Sequence, residues 1–163
     1  MVELYGSFEL HELEVCVDGG WAVDALLGEI TREHDDLDIA IPHRKVPKLR
    51  SFLSQRGFHE RLRDDTWECN FVLVDQQGRE LDVHSYTLDS TGNNVHGVPY
   101  VAEHLTGTGS ILDHHVRCIS PEWLVRFHTG YDVDEKDFRD VSALCERFGI
   151  TLPDDYQRFL QPQ

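Results

Sequence analysis

Positive charge is in short supply in this chain of 163 residues: 15 lysines and arginines face 30 aspartates and glutamates, for a net charge of −15. So acidic a surface repels nucleic-acid backbones over the Debye length, which argues against an RNA or DNA partner and suits a small cationic molecule. Ordinary acidic solubility would produce the same balance. Long apolar runs are also missing. None approaches 18 residues, so no membrane-spanning helix is expected. The opening MVELYGSFELHEL has neither a basic n-region nor an apolar h-region, so no signal peptide is expected and the cytoplasm is the expected location. The cysteines, Cys16, Cys69, Cys118 and Cys145, form no C-x-x-C, which speaks against a disulfide framework; Cys16 and Cys118 lie in apolar contexts that predict buried thiols. Ten histidines include no H-E-x-x-H and no H-x-H. The one tight pair, His114 and His115, points apart on a regular strand, which argues against a zinc hydrolase.

What is present is concentrated in residues 18–41, DGGWAVDALLGEITREHDDLDIAI. A Gly19-Gly20 pair follows an apolar run and precedes a short amphipathic segment. Such a strand–Gly-Gly–helix junction lets backbone N–H groups approach an anion, with the helix N-terminus adding positive potential. Further on, Asp36 and Asp38 flank one apolar residue. If 36–41 is a strand, both carboxylates project from one face, about 7 Å apart along it, while Leu37, Ile39 and Ile41 enter a core. Two carboxylates on one face repel unless a cation lies between them; with oxygen ligands only, the fitting ion is Mg²⁺. Phosphates bridged to that ion would satisfy the glycine turn as well. Each half alone has an ordinary reading, a turn and a solvated D-x-D; the information lies in their combination.

The rest of the chain predicts an α+β domain with a mixed sheet flanked by helices and a core supported by a 40% hydrophobic content. Helical spacing marks 3–12, 21–27 (ended by Gly28) and 46–55 (closed by Gly57). Strands are expected at 14–18 and 37–41. Phe71 to Val74 and Arg79 to Tyr86, joined by the turn-like DQQG, read as an antiparallel pair. In the second of these Leu81 and Val83 face one way, while Glu80, Asp82 and His84 face the other. Residues 88–110, rich in Gly, Ser, Thr and Asn, read as loops beside the sheet that could shape a pocket. Residues 111–119 read as a hairpin. Ser120-Pro121 starts a helix that ends near Gly130, and 134–148 forms another that buries Phe138, Val141, Leu144, Cys145 and Phe148, capped by Gly149. Residues 153–160 form a last turn or two. The division is a core over 1–119 and a helical segment over 120–163, packed as one domain.

The string G-G-W-x-x-D-x-x-x-G-x-x-T-R-x-H-x-D-L-D-I resembles the signature of small antibiotic nucleotidyltransferases, the lincosamide type first and the aminoglycoside 2''-type more distantly. These belong to the DNA polymerase β-like superfamily, whose mark is h-G-[GS] followed by D-h-[DE]-h. The resemblance continues through C-I-S-P-E, F-H-T-G-Y and D-E-K-D-F-R-D-V. It implies a polymerase β-like fold and transfer of a nucleoside monophosphate, from ATP or another NTP, to a hydroxyl of a small antibiotic-like acceptor. It also implies a third acid in a strand written h-D-h-x, which ELDVH matches at Asp82.

Three carboxylates on adjacent strands, Asp36, Asp38 and Asp82, are what two-metal nucleotidyl transfer requires. Asp82 is the candidate general base for the acceptor hydroxyl. Gly19, Gly20, Arg32, His34 and Lys136 are the candidate triphosphate contacts; Lys136 could equally be a surface lysine paired with acids on its helix, and His34 a hydrogen-bonded structural histidine. Other readings are a non-catalytic or antitoxin-like nucleotide binder of the same fold and an enzyme acting on protein hydroxyls. A homodimer completing an open acceptor side is a further expectation.

Overall fold

The structure, a computed structural model, describes residues 1–160; the last three residues of the expected helical segment lie outside that range. The elements run α1 (Val2–Leu10), β1 (Cys16–Val17), α2 (Gly19–Leu27), β2 (Asp36–Pro42), α3 (Val46–Ser54), β3 (His59–Arg61), β4 (Asn70–Val74), β5 (Glu80–Leu88), β6 (Asn94–Gly97), β7 (Gly107–Ile111), β8 (His114–Cys118), α4 (Pro121–Phe127) and α5 (Glu135–Phe148). Short 3₁₀ turns follow β2, precede β7 and close the described chain over Asp154–Phe159.

All eight strands form one sheet, ordered β3-β4-β5-β2-β1-β8-β7, with β6 added to β5. β2 runs parallel to β5, and β1 parallel to β8; the other pairings are antiparallel, so the sheet is mixed as expected. Period-two patterning drives the central pair. Leu37, Ile39, Ile41, Leu81 and Val83 are buried in one apolar cluster with Phe8 of α1 and Leu49, Phe52 and Leu53 of α3. α2 packs against β2 and β7 and carries α4 and α5 on its other contacts. No described helix is long and apolar enough to cross a membrane.

The differences from expectation have local causes. The strand expected at 14–18 shrinks to two residues, because Glu12 and Glu14 adopt positive φ and turn the chain just before it. Residues 88–110 are not only loop: β6, a 3₁₀ turn and β7 fall within them, and the hairpin expected from 111 begins at Gly107. Its two-residue turn at Leu112-Asp113 has positive φ at both positions, the hairpin geometry that matches strand twist. The glycines that make 107–110 read as loop serve close approach instead. A methyl at Gly109 would overlap the Ala25 carbonyl, so α2 rests directly on the β7 backbone. In α5 the expected core residues Val141, Leu144 and Cys145 are buried, whereas Phe138 is only partly buried and Phe148, at the C-terminal end, is exposed. All four cysteines are free and buried.

Candidate active site

The glycine turn is built from below. Asp18, extended and buried, caps α2 by accepting the Gly19 N–H at 2.8 Å, while its other oxygen accepts the Tyr100 hydroxyl at 2.5 Å. Its own N–H donates to the Asp38 carbonyl at 2.9 Å, locking the turn onto β2. Gly19 sits at φ +59°, and a methyl there would overlap Asp38 Oδ2; a methyl at Gly20 would collide with Arg32 Nη2 and His34 Nδ1. The two glycines therefore admit the motif's own side chains: an acid on one side of the turn, a guanidinium and an imidazole on the other.

The segment between α2 and β2 is organised by Asp24, which is fully buried on α2. One oxygen accepts the Thr31 N–H at 3.1 Å and the Thr31 hydroxyl at 2.6 Å; the other meets His34 Nε2 at 2.6 Å. The His34 ring lies 4.5 Å from that of Trp21. Arg32 is drawn the other way and clasps buried Asp140 of α5 through Nε at 3.2 Å and Nη2 at 2.8 Å. Lys136, exposed in the first turn of α5, forms no side-chain hydrogen bond or ion pair among the described residues, and nothing in the structure joins it to this group.

The carboxylates assemble through the parallel pair. The register sets Asp36 beside Glu80 and Asp38 beside Asp82, so four acids share one face. Burial, then the charges of Asp36, Asp18 and Asp82, push the Asp38 carboxyl up to about 8, with Arg63 opposing. Arg63, between β3 and β4, lies 2.9 Å from Asp82 Oδ2 and 2.8 Å from Glu80 Oε2, and Arg61 also pairs with Glu80. His84 stands on the same face with Nε2 3.8 Å from Asp82 Oδ1 and its Nδ1 buried without a partner among the described residues. A cleft of about 280 Å³ opens beside Asp36; Trp21, His34, Leu37, Phe58 and Glu80 are among its walls.

This arrangement has counterparts. The model of the aminoglycoside-2''-adenylyltransferase family matches residues 1–144. The chain belongs to that family. A lincosamide resistance protein from Staphylococcus haemolyticus is 30% identical over 142 residues, covering 84% of this chain and 87% of that protein. A 2''-aminoglycoside nucleotidyltransferase from Klebsiella pneumoniae is 33% identical over 79 residues, 48% of this chain and 42% of that protein. Among solved structures, the lincosamide antibiotic adenylyltransferase LnuA with lincomycin bound superimposes with a TM-score of 0.76 at 26% identity, over 92% of this chain and 95% of that one. ANT(2'')-Ia in complex with adenylyl-2''-tobramycin matches with a TM-score of 0.68 at 22% identity, over 86% and 83% of the two chains, a likeness of fold. The sheet is thus the polymerase β-like nucleotidyltransferase sheet, and this member of the adenylyltransferase family is an NTP-using nucleotidyltransferase.

Of the residues picked from the sequence, the structure brings together Asp36, Asp38, Asp82 and Gly19, with Gly20, Arg32 and His34 at the other side of the turn. Sequence reasoning missed Asp18 and Arg63, and gave no role to Asp24 and Asp140, which stand in the quoted motifs. A helix-capping aspartate before Gly-Gly was a usable signal for Asp18. Arg63 and Asp140 meet their partners only through the tertiary fold.

Proposed function

We propose that this protein transfers AMP from ATP to a hydroxyl of a small cationic antibiotic of the lincosamide or aminoglycoside type. The observation that carries the reading is the parallel register that sets Asp38 beside Asp82, next to the Gly19 turn. Support for the acceptor comes from the lincosamide and aminoglycoside relatives and from the acidic surface. The donors are of the kind magnesium takes: oxygens only, on adjacent strands, with one carboxyl driven toward protonation by the charge around it; Arg63, 2.9 Å from Asp82 Oδ2, holds that carboxylate and has to yield it to the ion. Asp36, Asp38 and Asp82 would hold Mg²⁺, which supplies charge neutralisation at the α-phosphate and the departing pyrophosphate.

The chain's own groups do the rest. The first-turn N–H groups of Gly20 and Trp21, which have no intrahelical acceptor, bind the triphosphate; Arg32 and His34, held by Asp140 and Asp24, overhang Gly20 and add positive potential to that side of the turn. Asp82 accepts the proton of the acceptor hydroxyl. The acceptor oxygen bonds to the α-phosphorus, the bond to the bridging oxygen breaks, and pyrophosphate leaves with that oxygen. Residues 1–119 form the catalytic core, and the helical segment from 120 buttresses α2, with the Arg32–Asp140 pair as the tie.

The test is incubation with labelled ATP and Mg²⁺, with and without a panel of lincosamides and aminoglycosides, reading pyrophosphate release and product mass. Adenylylated antibiotic is the expected outcome. Label on protein alone would move the activity to protein hydroxyls, and ATP binding without turnover would leave a binding protein.

A further inference from the structure

Away from the carboxylate face, three side chains from distant points of the chain converge. His43 follows β2, Cys69 precedes β4 and His96 lies on β6. Cys69 Sγ is 3.3 Å from His43 Nδ1 and 3.4 Å from His96 Nε2, and one ligand atom from each lies within 4.8 Å of the others. Cys69 is fully buried; the His96 side chain is 45% exposed, which opens the cluster to solvent. Glu68, next to Cys69 in the chain, places Oε1 3.1 Å from His96 Nε2. The Ser85 hydroxyl lies 2.9 Å from His43 Nδ1 and competes for its one lone pair, so that hydrogen bond is given up when an ion binds there.

We propose that His43, Cys69 and His96 form a site for Zn²⁺, with Glu68 closing the tetrahedron. A tetrahedral zinc with bonds of about 2.3 Å to sulfur and about 2.0–2.1 Å to nitrogen holds S and N about 3.6 Å apart, close to both sulfur–nitrogen separations here. One thiolate and two imidazoles favour zinc over magnesium, so the site and the carboxylate face select different metals. On binding, the Cys69 thiol gives its proton to solvent and the S–Zn bond forms; no electrons are exchanged. The ion's work is structural. It ties the segment 62–69, which carries Arg63 against Asp82 and Glu80, to the ends of β2 and β6. The transferase reading is not needed for this site, and its failure would leave the site intact.

The test uses the full chain stripped with a chelator and titrated with Co²⁺, then Zn²⁺, in millimolar Mg²⁺ to occupy the carboxylates. The expected result is one equivalent of Co²⁺ bound with a thiolate-to-cobalt charge-transfer band and the strong visible bands of a tetrahedral ion, displaced by Zn²⁺. Zn²⁺ should also raise the melting temperature. Cys69→Ser should abolish the charge-transfer band. His96→Asn, at a half-exposed side chain that tolerates change, should weaken Co²⁺ binding at least as much as loss of an outer-shell partner does, about 10- to 100-fold. Asp36→Asn should leave the spectrum as in the wild type. A wild-type titration without the thiolate band, or Co²⁺ binding unchanged in both Cys69→Ser and His96→Asn, would reduce the cluster to a hydrogen-bonded thiol and overturn the proposal.

Discussion

Asp38 carries the highest electrostatic load in the site, since three other carboxylates crowd a group already withdrawn from water. In the metal-free folded protein its pKa is raised from 3.8 to about 8. Between those values the folded state retains a proton that the unfolded chain has released, so stability falls as pH rises through that window. Thermal melts of metal-free protein should show a lower melting temperature at about pH 8 than at about pH 5, with Asp38→Asn flattening the slope. Mg²⁺ should flatten it too, since bound cation replaces the proton. A slope unchanged in the variant would assign the titration elsewhere. Asp82 separates role from position. Asp82→Asn should cost roughly 10²–10⁴ in turnover if it is the base, with little change in NTP affinity, because Asp36 and Asp38 would still hold the proposed metal. Loss of the acidic limb of the pH–rate profile would accompany it, and a variant with normal turnover would pass the role to Glu80 or His84.

At the scale of elements, the decisive contact is α2 lying on the backbone of β7. The close approach exists because Gly109 has no side chain, and it seats the C-terminal half of α2 on the sheet, while the Asp18–Asp38 backbone bond holds the Gly19 turn at the other end. Gly109→Ala should overpack that contact and cost about 1–3 kcal/mol. Gly6 offers the opposite case: it lies inside α1 with open space around its Cα. Gly6→Ala should stabilise the protein by about 0.5–1 kcal/mol. Chemical denaturation of the two variants should therefore shift the midpoint in opposite directions; equal shifts would mean that β7 yields more easily than its contact suggests. The same comparison shows why composition misled the reading of 88–110. Glycine marks both loops and strands pressed against another backbone, and only the packing tells which.

For the whole molecule, net charge links the sequence to substrate capture. A field of −15 draws cations toward the acidic face and is screened by salt. The kcat/KM for a polycationic aminoglycoside should fall by about 10-fold or more between low and high ionic strength. A singly charged lincosamide should lose much less. Steady-state kinetics across a salt series with each acceptor checks this, and equal salt dependence would show that capture rests on contacts inside the pocket. The mixed sheet serves the same end, since the parallel pairing of β2 with β5 is what gathers the acids on one face of one sheet.

The sequence by itself determined the parts governed by local rules. Alternation in DLDIAI and ELDVHSY assigned the faces of the two central strands, and Gly28 and Gly149 ended their helices in the left-handed conformation that only glycine adopts freely. The carboxylate trio was legible because each member sits in a short pattern with a fixed period. Other features belonged to the tertiary structure alone, because their partners are separated by long stretches of chain and no local period relates them. Arg32 is separated from Asp140 by 108 positions, and Tyr100 from Asp18 by 82. His43, Cys69 and His96 share no spacing that a metal motif would show, and were dispersed among ten histidines until β2, β4, β5 and β6 were laid side by side. Strand pairing decides such meetings, and it is set by the burial of the whole core rather than by the residues that meet.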